Sequence, residues 1–210
     1  YGFLAGKAPD SVNPSLWRHA QLNANVGLFK VMDGVHQLRG FDIANMTLIE
    51  GKTGWIVVDP LTAPESAGVA LAFARQHLGN KPVSAIIFTH AHVDHFGGVL
   101  GVTSAREAAD RKLPIIAPEG FMEEATSENV MVGTGMARRS MYQFGKNLPR
   151  SAKGNVDTGL GKDVVYGLPA ILAPTVLIDK PEQPMEIDGV KFVFHNVPNA
   201  ECPAELSFSI

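Results

Sequence analysis

A single cysteine, Cys202, stands among 210 residues, so no disulfide can close within the chain. That says nothing of compartment, because exported proteins also exist without disulfides. No apolar run approaches the roughly 20 residues needed to cross a bilayer. There is no start methionine and no signal-peptide pattern. Charge of neither sign dominates: 18 Lys and Arg against 21 Asp and Glu leave a net charge of -3, which argues against a nucleic-acid binder with its basic face. Internal repeats and low-complexity stretches are missing as well. With 45% hydrophobic and 19% charged residues, the composition is globular and excludes a disordered tail, a coiled coil or a collagen-like fibre. The length suits one domain. The opening Tyr1-Gly2-Phe3-Leu4 and the alternating close Glu205-Leu206-Ser207-Phe208-Ser209-Ile210 read as an interior piece of a longer polypeptide, with an unpaired strand edge near Leu206–Ile210.

Residues 1–22 read as a lead-in segment with a short helix around Ser15–Gln21, and residues 23–210 as the first part of a catalytic domain truncated at its C-terminal end. Val26–Val31, Val35–Arg39, Met46–Glu50 and Trp55–Asp59 are short, β-branched and apolar, and Asp33-Gly34 and Gly51-Lys52-Thr53-Gly54 punctuate them as hairpin turns. The period then changes. Ala67, Leu71, Ala74 and Leu78 fall on one helical face between Pro64 and Gly79. Val83–Thr89 is a nearly continuous apolar run, as expected of a strand buried on both faces. Helices are expected over Ser104–Lys112 and Gly120–Glu128, the latter continuing to Phe144 with Gly133 and Gly135 weakening it. Lys146–Pro174 is a long Gly- and Pro-rich loop. Strands at Ile115–Ala117, Val176–Ile178, Met185–Ile187 and Val190–His195 complete the pattern, an α/β (α+β) arrangement with sheets inside and helices outside.

The chemistry concentrates in Thr89-His90-Ala91-His92-Val93-Asp94-His95-Phe96-Gly97-Gly98. Three of the seven histidines and one aspartate fall within six residues. Imidazole nitrogen and carboxylate oxygen are the donors that Zn²⁺ prefers. His90 and His92 alternate off the end of a buried strand and can point the same way, while Asp94 and His95 on the following turn can face a second metal. Gly97-Gly98 allows a tight turn into the next element. The alternative, a His-rich surface loop, fits poorly with this pattern placed between an apolar strand and a Gly-Gly pair.

This loop resembles the metal-binding loop of the metallo-β-lactamase superfamily, and the preceding hairpins and helix resemble the first half of its αβ/βα sandwich. Further stretches resemble one branch, the bacterial alkylsulfatases: Asn13-Pro14-Ser15-Leu16-Trp17-Arg18, Arg39-Gly40-Phe41-Asp42, Asn45-Met46-Thr47-Leu48-Ile49-Glu50-Gly51, Ala117-Pro118-Glu119-Gly120-Phe121 and Asn199-Ala200-Glu201-Cys202-Pro203-Ala204-Glu205. The resemblance implies zinc-dependent hydrolysis of alkyl sulfate esters such as dodecyl sulfate, to fatty alcohol and inorganic sulfate, by a metal-bridged hydroxide that Asp94 orients. It implies two Zn²⁺ per intact active site, one on His90, His92 and Glu201, the other on Asp94 and His95. The bridging acid and last histidine of the family would lie after Ile210, in the remainder of the same polypeptide. This chain alone is therefore expected to hold about one zinc and to be inactive. A homodimer, a role in detergent degradation and a periplasmic or secreted location are implied as well, with no nucleic acid and no membrane span. Cys202, where the family has alanine, and the extra Thr103–Lys112 segment depart from the pattern. From the residues alone, His195 and Glu205 rival Glu201 as the third ligand.

Asp59 reads either as a carboxylate bracing the metal loop from outside the ligand set or as a turn aspartate before Pro60. Met122, Met131, Met136 and Met141 each read as ordinary core, or together as a deformable wall for an alkyl chain. Arg138, Arg139, Lys146 and Arg150 read as solvated charge that could meet a sulfate, with Tyr142 and Asn155 as weaker candidates for the same role. Trp17, Trp55 and Tyr166 read as packing, and His19, His36 and His77 have no ligand role. Another hydrolase of the same scaffold, acting on a lactam, thioester or phosphodiester, is the main alternative. A di-iron oxidoreductase is opposed by His92, and a metal-binding fragment without activity is a third reading.

Overall fold

A computed structural model describes residues 1–210. Strands β1 (Gly27–Met32), β2 (Val35–Arg39), β3 (Met46–Glu50), β4 (Trp55–Val58), β5 (Val83–Ile87), β6 (Ile115–Pro118) and β7 (Val176–Ile178) lie side by side in sequence order in one seven-stranded sheet. The β1–β4 pairs are antiparallel meanders, whereas β4, β5, β6 and β7 run parallel. A second, antiparallel sheet of β8 (Gln183–Ile187), β9 (Val190–Asn196) and β10 (Leu206–Ser209) has the order β10-β9-β8. Helices α1 (Pro14–Asn23), α2 (Pro64–Leu78), α3 (Val93–Phe96), α4 (Ala105–Asp110), α5 (Phe121–Thr126) and α6 (Gly133–Phe144) complete it, with a π turn at Ser127–Met131 between the last two.

The period-two pattern of the central strands explains the layers. Trp55, Val57, Val83 and Ile86 turn to one face, against Ala67, Ala70, Leu71 and Ala74 of α2. Ile56, Val58, Ala85 and Ile87 turn to the other, against Ile187, Phe192, Phe194 and Leu206 of the smaller sheet. The central strands are thus buried on both sides, as their continuous apolar runs require. Truncating a fully buried member such as Leu71 to alanine should cost about 2–5 kcal/mol. Pro64 and Glu65 open α2, and Gly79 at φ 96° closes it, which glycine does without steric penalty.

Several sequence expectations need correction. Of the methionine-bearing segment only the start is core: Met122 packs on the main core beside buried Phe121 and Ala125, whereas α6 buries no residue and Val130 and Met131 are 73% and 78% exposed. Tyr166 is likewise exposed rather than packed, with Lys146 Nζ over its ring. Asn155 is buried, and its amide donates to Gly145 O (3.2 Å) and Phe144 O, capping α6 rather than facing a ligand. Arg150 is paired with Asp163. The strand expected over Val83–Thr89 ends at Ile87, because beyond it the backbone serves the site. In the 1–22 segment, α1 packs Trp17 and Ala20 on Leu4 and Val156. It is fastened by buried Lys162, whose Nζ donates to Ala20 O (2.9 Å) and Asp157 Oδ2 (3.1 Å).

Gly97 and Gly98 have ordinary negative φ values, so the tight-turn argument for them fails. A Cβ on Gly98 would instead lie 2.0 Å from Pro60 O, and one on Gly97 2.2 Å from Thr62 O. The pair is required by close backbone approach, which seats the histidine loop on the segment after β4.

Candidate metal centre

The site lies beyond the carboxyl ends of parallel β4 and β5, the usual place for ligands in such sheets. His90 follows β5 and is 4% exposed; its backbone is bridged to Glu205, and Leu206 N donates to Thr89 O (2.8 Å). Asp94 and His95 sit on the single turn of α3. Glu201 comes from the loop between β9 and β10.

His90 Nε2 lies 3.0 Å from His92 Nδ1, His92 Nδ1 3.6 Å from Glu201 Oε1, and His90 Nε2 4.0 Å from the same oxygen. These three residues are the group whose donor atoms all fall within 4.8 Å of one another. Donors about 2.0–2.1 Å from a tetrahedral zinc stand roughly 3.4 Å apart, so the two imidazoles and the carboxylate fit the ion in spacing and in chemistry. His195 is not among them; it pairs with Ser207 across β9 and β10. Glu205 is turned to another task, accepting the backbone N–H groups of Glu201 (2.7 Å) and Cys202 (3.0 Å). Cys202 is buried in the main core.

Asp94 and His95 form the adjoining pair, with His95 Nε2 3.3 Å from Asp94 Oδ2. The rings of His90 and His95 are 4.0 Å apart between centroids, which makes the two donor groups neighbours. Burial pushes the His90 imidazole down and favours its neutral, donor form. Burial would also lower His95, but its hydrogen bonds to Asp59 and Asp94 outweigh this and push it up to about 10. For Asp94, burial would raise the carboxyl, yet the bond and charge of His95 hold it below its ordinary range.

Asp59 is more than a turn residue. Its carboxylate accepts Thr89 N (2.8 Å) and Thr89 Oγ1 (2.7 Å) and lies 2.8 Å from His95 Nδ1. Thr89 Oγ1 is also 2.9 Å from His90 Nδ1. With the hydroxyl proton given to Asp59, the hydroxyl oxygen accepts Nδ1–H and leaves Nε2 of His90 bare toward the donor group. Asp59 has φ 53° and Leu61 φ 64°, a conformation costly for residues with side chains and typical of functional sites. Sequence reasoning missed Thr89 as this link. It also missed Glu128, whose Oε2 is 3.8 Å from His92 Nε2. Thr89 had a signal in its place beside the first histidine; Glu128 had none.

A profile of the metallo-beta-lactamase superfamily matches residues 39–188. The chain belongs to that superfamily. Within it, this chain is 48% identical to the alkyl/aryl-sulfatase of Saccharomyces cerevisiae over 98% of its length, and 45% identical to a linear primary-alkylsulfatase of a Pseudomonas species over 100%. Each match covers 32% of the relative, so the chain spans about a third of the length of the curated relatives it matches. The stereoselective inverting sec-alkylsulfatase Pisa1 from Pseudomonas superposes on 100% of this chain at a TM-score of 0.96 and 44% identity, with 33% of that chain covered. A metallo-beta-lactamase from Pontibacter korlensis shares the fold at a TM-score of 0.51 and 12% identity. As in other members of the superfamily, divalent metal is the implied cofactor.

Proposed function

We propose that this chain is part of a zinc-dependent alkylsulfatase, cleaving an alkyl sulfate with water to a fatty alcohol and inorganic sulfate. The observation that carries the reading is the 45% and 48% identity to alkylsulfatases over nearly the whole chain, beside the donor group of His90, His92 and Glu201 that the fold brings together.

In this reading His90 offers Nε2, His92 Nδ1 and Glu201 a carboxylate oxygen to one zinc, and Asp94 and His95 contribute to the other. Zinc bound there supplies Lewis acidity, making a water acidic near neutral pH and drawing electron density from the sulfate ester. Asp94, kept ionised by His95, offers its carboxylate as the acceptor that orients the attacking water. Asp59 and Thr89 hold His90 and His95 in the tautomers this requires. The exposed apolar side chains of Val130 and Met131, on the turn that carries Glu128, and of Val132 just after it offer a pliable surface to an alkyl chain. Two zinc ions per active site, completion of the second one by residues outside this chain, a homodimer, detergent degradation and a periplasmic or secreted location belong to the same reading. No helix is long and apolar enough to cross a membrane.

Sulfate release from dodecyl sulfate by the full-length protein tests the proposal. Release that is abolished by a chelator and restored by zinc is expected; faster turnover of a lactam such as nitrocefin would overturn it.

A further inference from the structure

Metal-binding histidines generally donate their second ring N–H to a fixed acceptor, which sets the tautomer and the ring orientation. Two of the three histidines here have such an acceptor in place: His90 Nδ1 meets Thr89 Oγ1 at 2.9 Å, and His95 Nδ1 meets Asp59 Oδ2 at 2.8 Å. Asp59 stands behind both, since it also takes the Thr89 hydroxyl. It does not serve His92. The Nδ1 of that ring faces His90 and Glu201, which leaves Nε2 as the nitrogen that must be anchored. The carboxylate that Nε2 faces is Glu128, at 3.8 Å.

Glu128 reaches this place by an unusual route. Helix α5 widens into the π turn Ser127–Met131 before α6 begins. Such turns are rare and gather at functional sites. On this one, Val130 and Met131 are 73% and 78% exposed, while the Glu128 side chain is only 25% exposed and points at the imidazole. Asn129 Nδ2 donates to Ala125 O at 2.9 Å and ties the turn back to α5. Glu128 is thus a half-buried carboxylate directed at the one histidine of the loop whose second nitrogen has no hydrogen bond.

Resting on the metal-centre reading above, we propose that Glu128 is the positioning residue of His92. Its carboxylate accepts Nε2–H after a small side-chain rotation, or through one water, and so presents Nδ1 as the ligand atom. The negative charge also makes the imidazole a stronger donor. The assignment couples the α5–α6 segment, with its exposed apolar side chains, to the metal centre.

The test uses full-length protein and zinc affinity measured by competition with a chromophoric chelator, with the visible absorption of the Co²⁺-substituted form as a second readout. Glu128→Ala should weaken the tight site about 10–100-fold and shift the Co²⁺ bands, while the thermal midpoint of the metal-free protein stays unchanged. Glu128→Gln, which keeps an acceptor oxygen, should recover most of the loss. In a His92→Ala background, Glu128→Ala should add nothing. Wild-type affinity and spectrum in Glu128→Ala, or a full additional loss in the His92→Ala background, would overturn the assignment and leave the metal centre standing. Absence of tight metal binding by the wild type, or full binding by His92→Ala, would overturn both.

Discussion

A carboxylate oxygen of Glu205 accepts the backbone N–H of Glu201 at 2.7 Å, and that of Cys202 at 3.0 Å, closing the β9–β10 loop from within. The backbone of Glu205 is bridged to His90. One residue therefore touches both His90 and Glu201, one histidine and the acid of the donor group. Bonds to a charged acceptor are the stronger kind. Glu205→Ala should lower zinc affinity about tenfold, in the range seen when groups that orient ligands are lost. Glu205→Gln, still able to accept both N–H groups, should be milder. Chelator competition checks both.

Gly98 has no room for a side chain, since a Cβ would lie 2.0 Å from Pro60 O and 2.8 Å from Ala63 O. Both are backbone atoms that cannot rotate away. Gly98→Ala should cost about 1–3 kcal/mol or more in stability, as overpacking does, read as a lower urea midpoint of the metal-free full-length protein. Gly135→Ala, at a position with nothing within 4 Å, should not lower it.

Asp188 joins the turn of the small sheet to the hairpin between β3 and β4, accepting Thr53 N (3.0 Å), Thr53 Oγ1 (2.9 Å) and Gly54 N (3.0 Å). Burial would raise its carboxyl, but the neighbouring Ser84 hydroxyl together with these Thr53 and Gly54 bonds outweighs that and holds it below the ordinary value of 3.8. The folded state thus binds this proton less readily than the unfolded state. Its stabilisation is complete above about pH 4 and fades as pH falls through the depressed pKa. Thermal midpoints between pH 2 and 6 should show Asp188→Ala losing most stability near neutrality and converging on wild type at the acid end.

On the proposed alkylsulfatase reading, alkyl chain length should control turnover. Each CH₂ buried from water contributes about 0.8 kcal/mol, or roughly a fourfold rise in kcat/KM per carbon until the apolar surface is covered. Met131→Gln should flatten that slope with little effect on short substrates. A series of alkyl sulfates measured by sulfate release checks it.

The histidine loop was legible because its donors are contiguous, and the double-faced burial of β5 was legible from its unbroken apolar run; that of β4 was not read from the sequence. Glu201 was not legible from spacing alone, since it lies 109 residues after His92 and the β9–β10 loop must fold back on β5 to deliver it. Glu128 left no trace, because a π turn depends on what packs around it and not on a residue pattern. The methionines misled for a related reason. An apolar residue type favours burial, and says nothing of whether any element covers it, as exposed Met131 beside half-buried Met122 shows. The buried Lys162–Asp157 pair and its bond to Ala20 O were equally invisible, because the helix they hold lies far off in sequence.

The left-handed backbone of Asp59, φ 53°, sets stability against chemistry at one residue. Glycine would relax that conformation, whose strain is of order 1–3 kcal/mol, but it has no carboxylate to receive Thr89 and His95. Selection for heat resistance alone would be free to adopt Asp59→Gly wherever the relief of strain exceeds the lost hydrogen bonds. The resulting protein would keep its shape while its histidines drifted from register. The strained aspartate and the two groups it holds, Thr89 and His95, therefore stand or fall together.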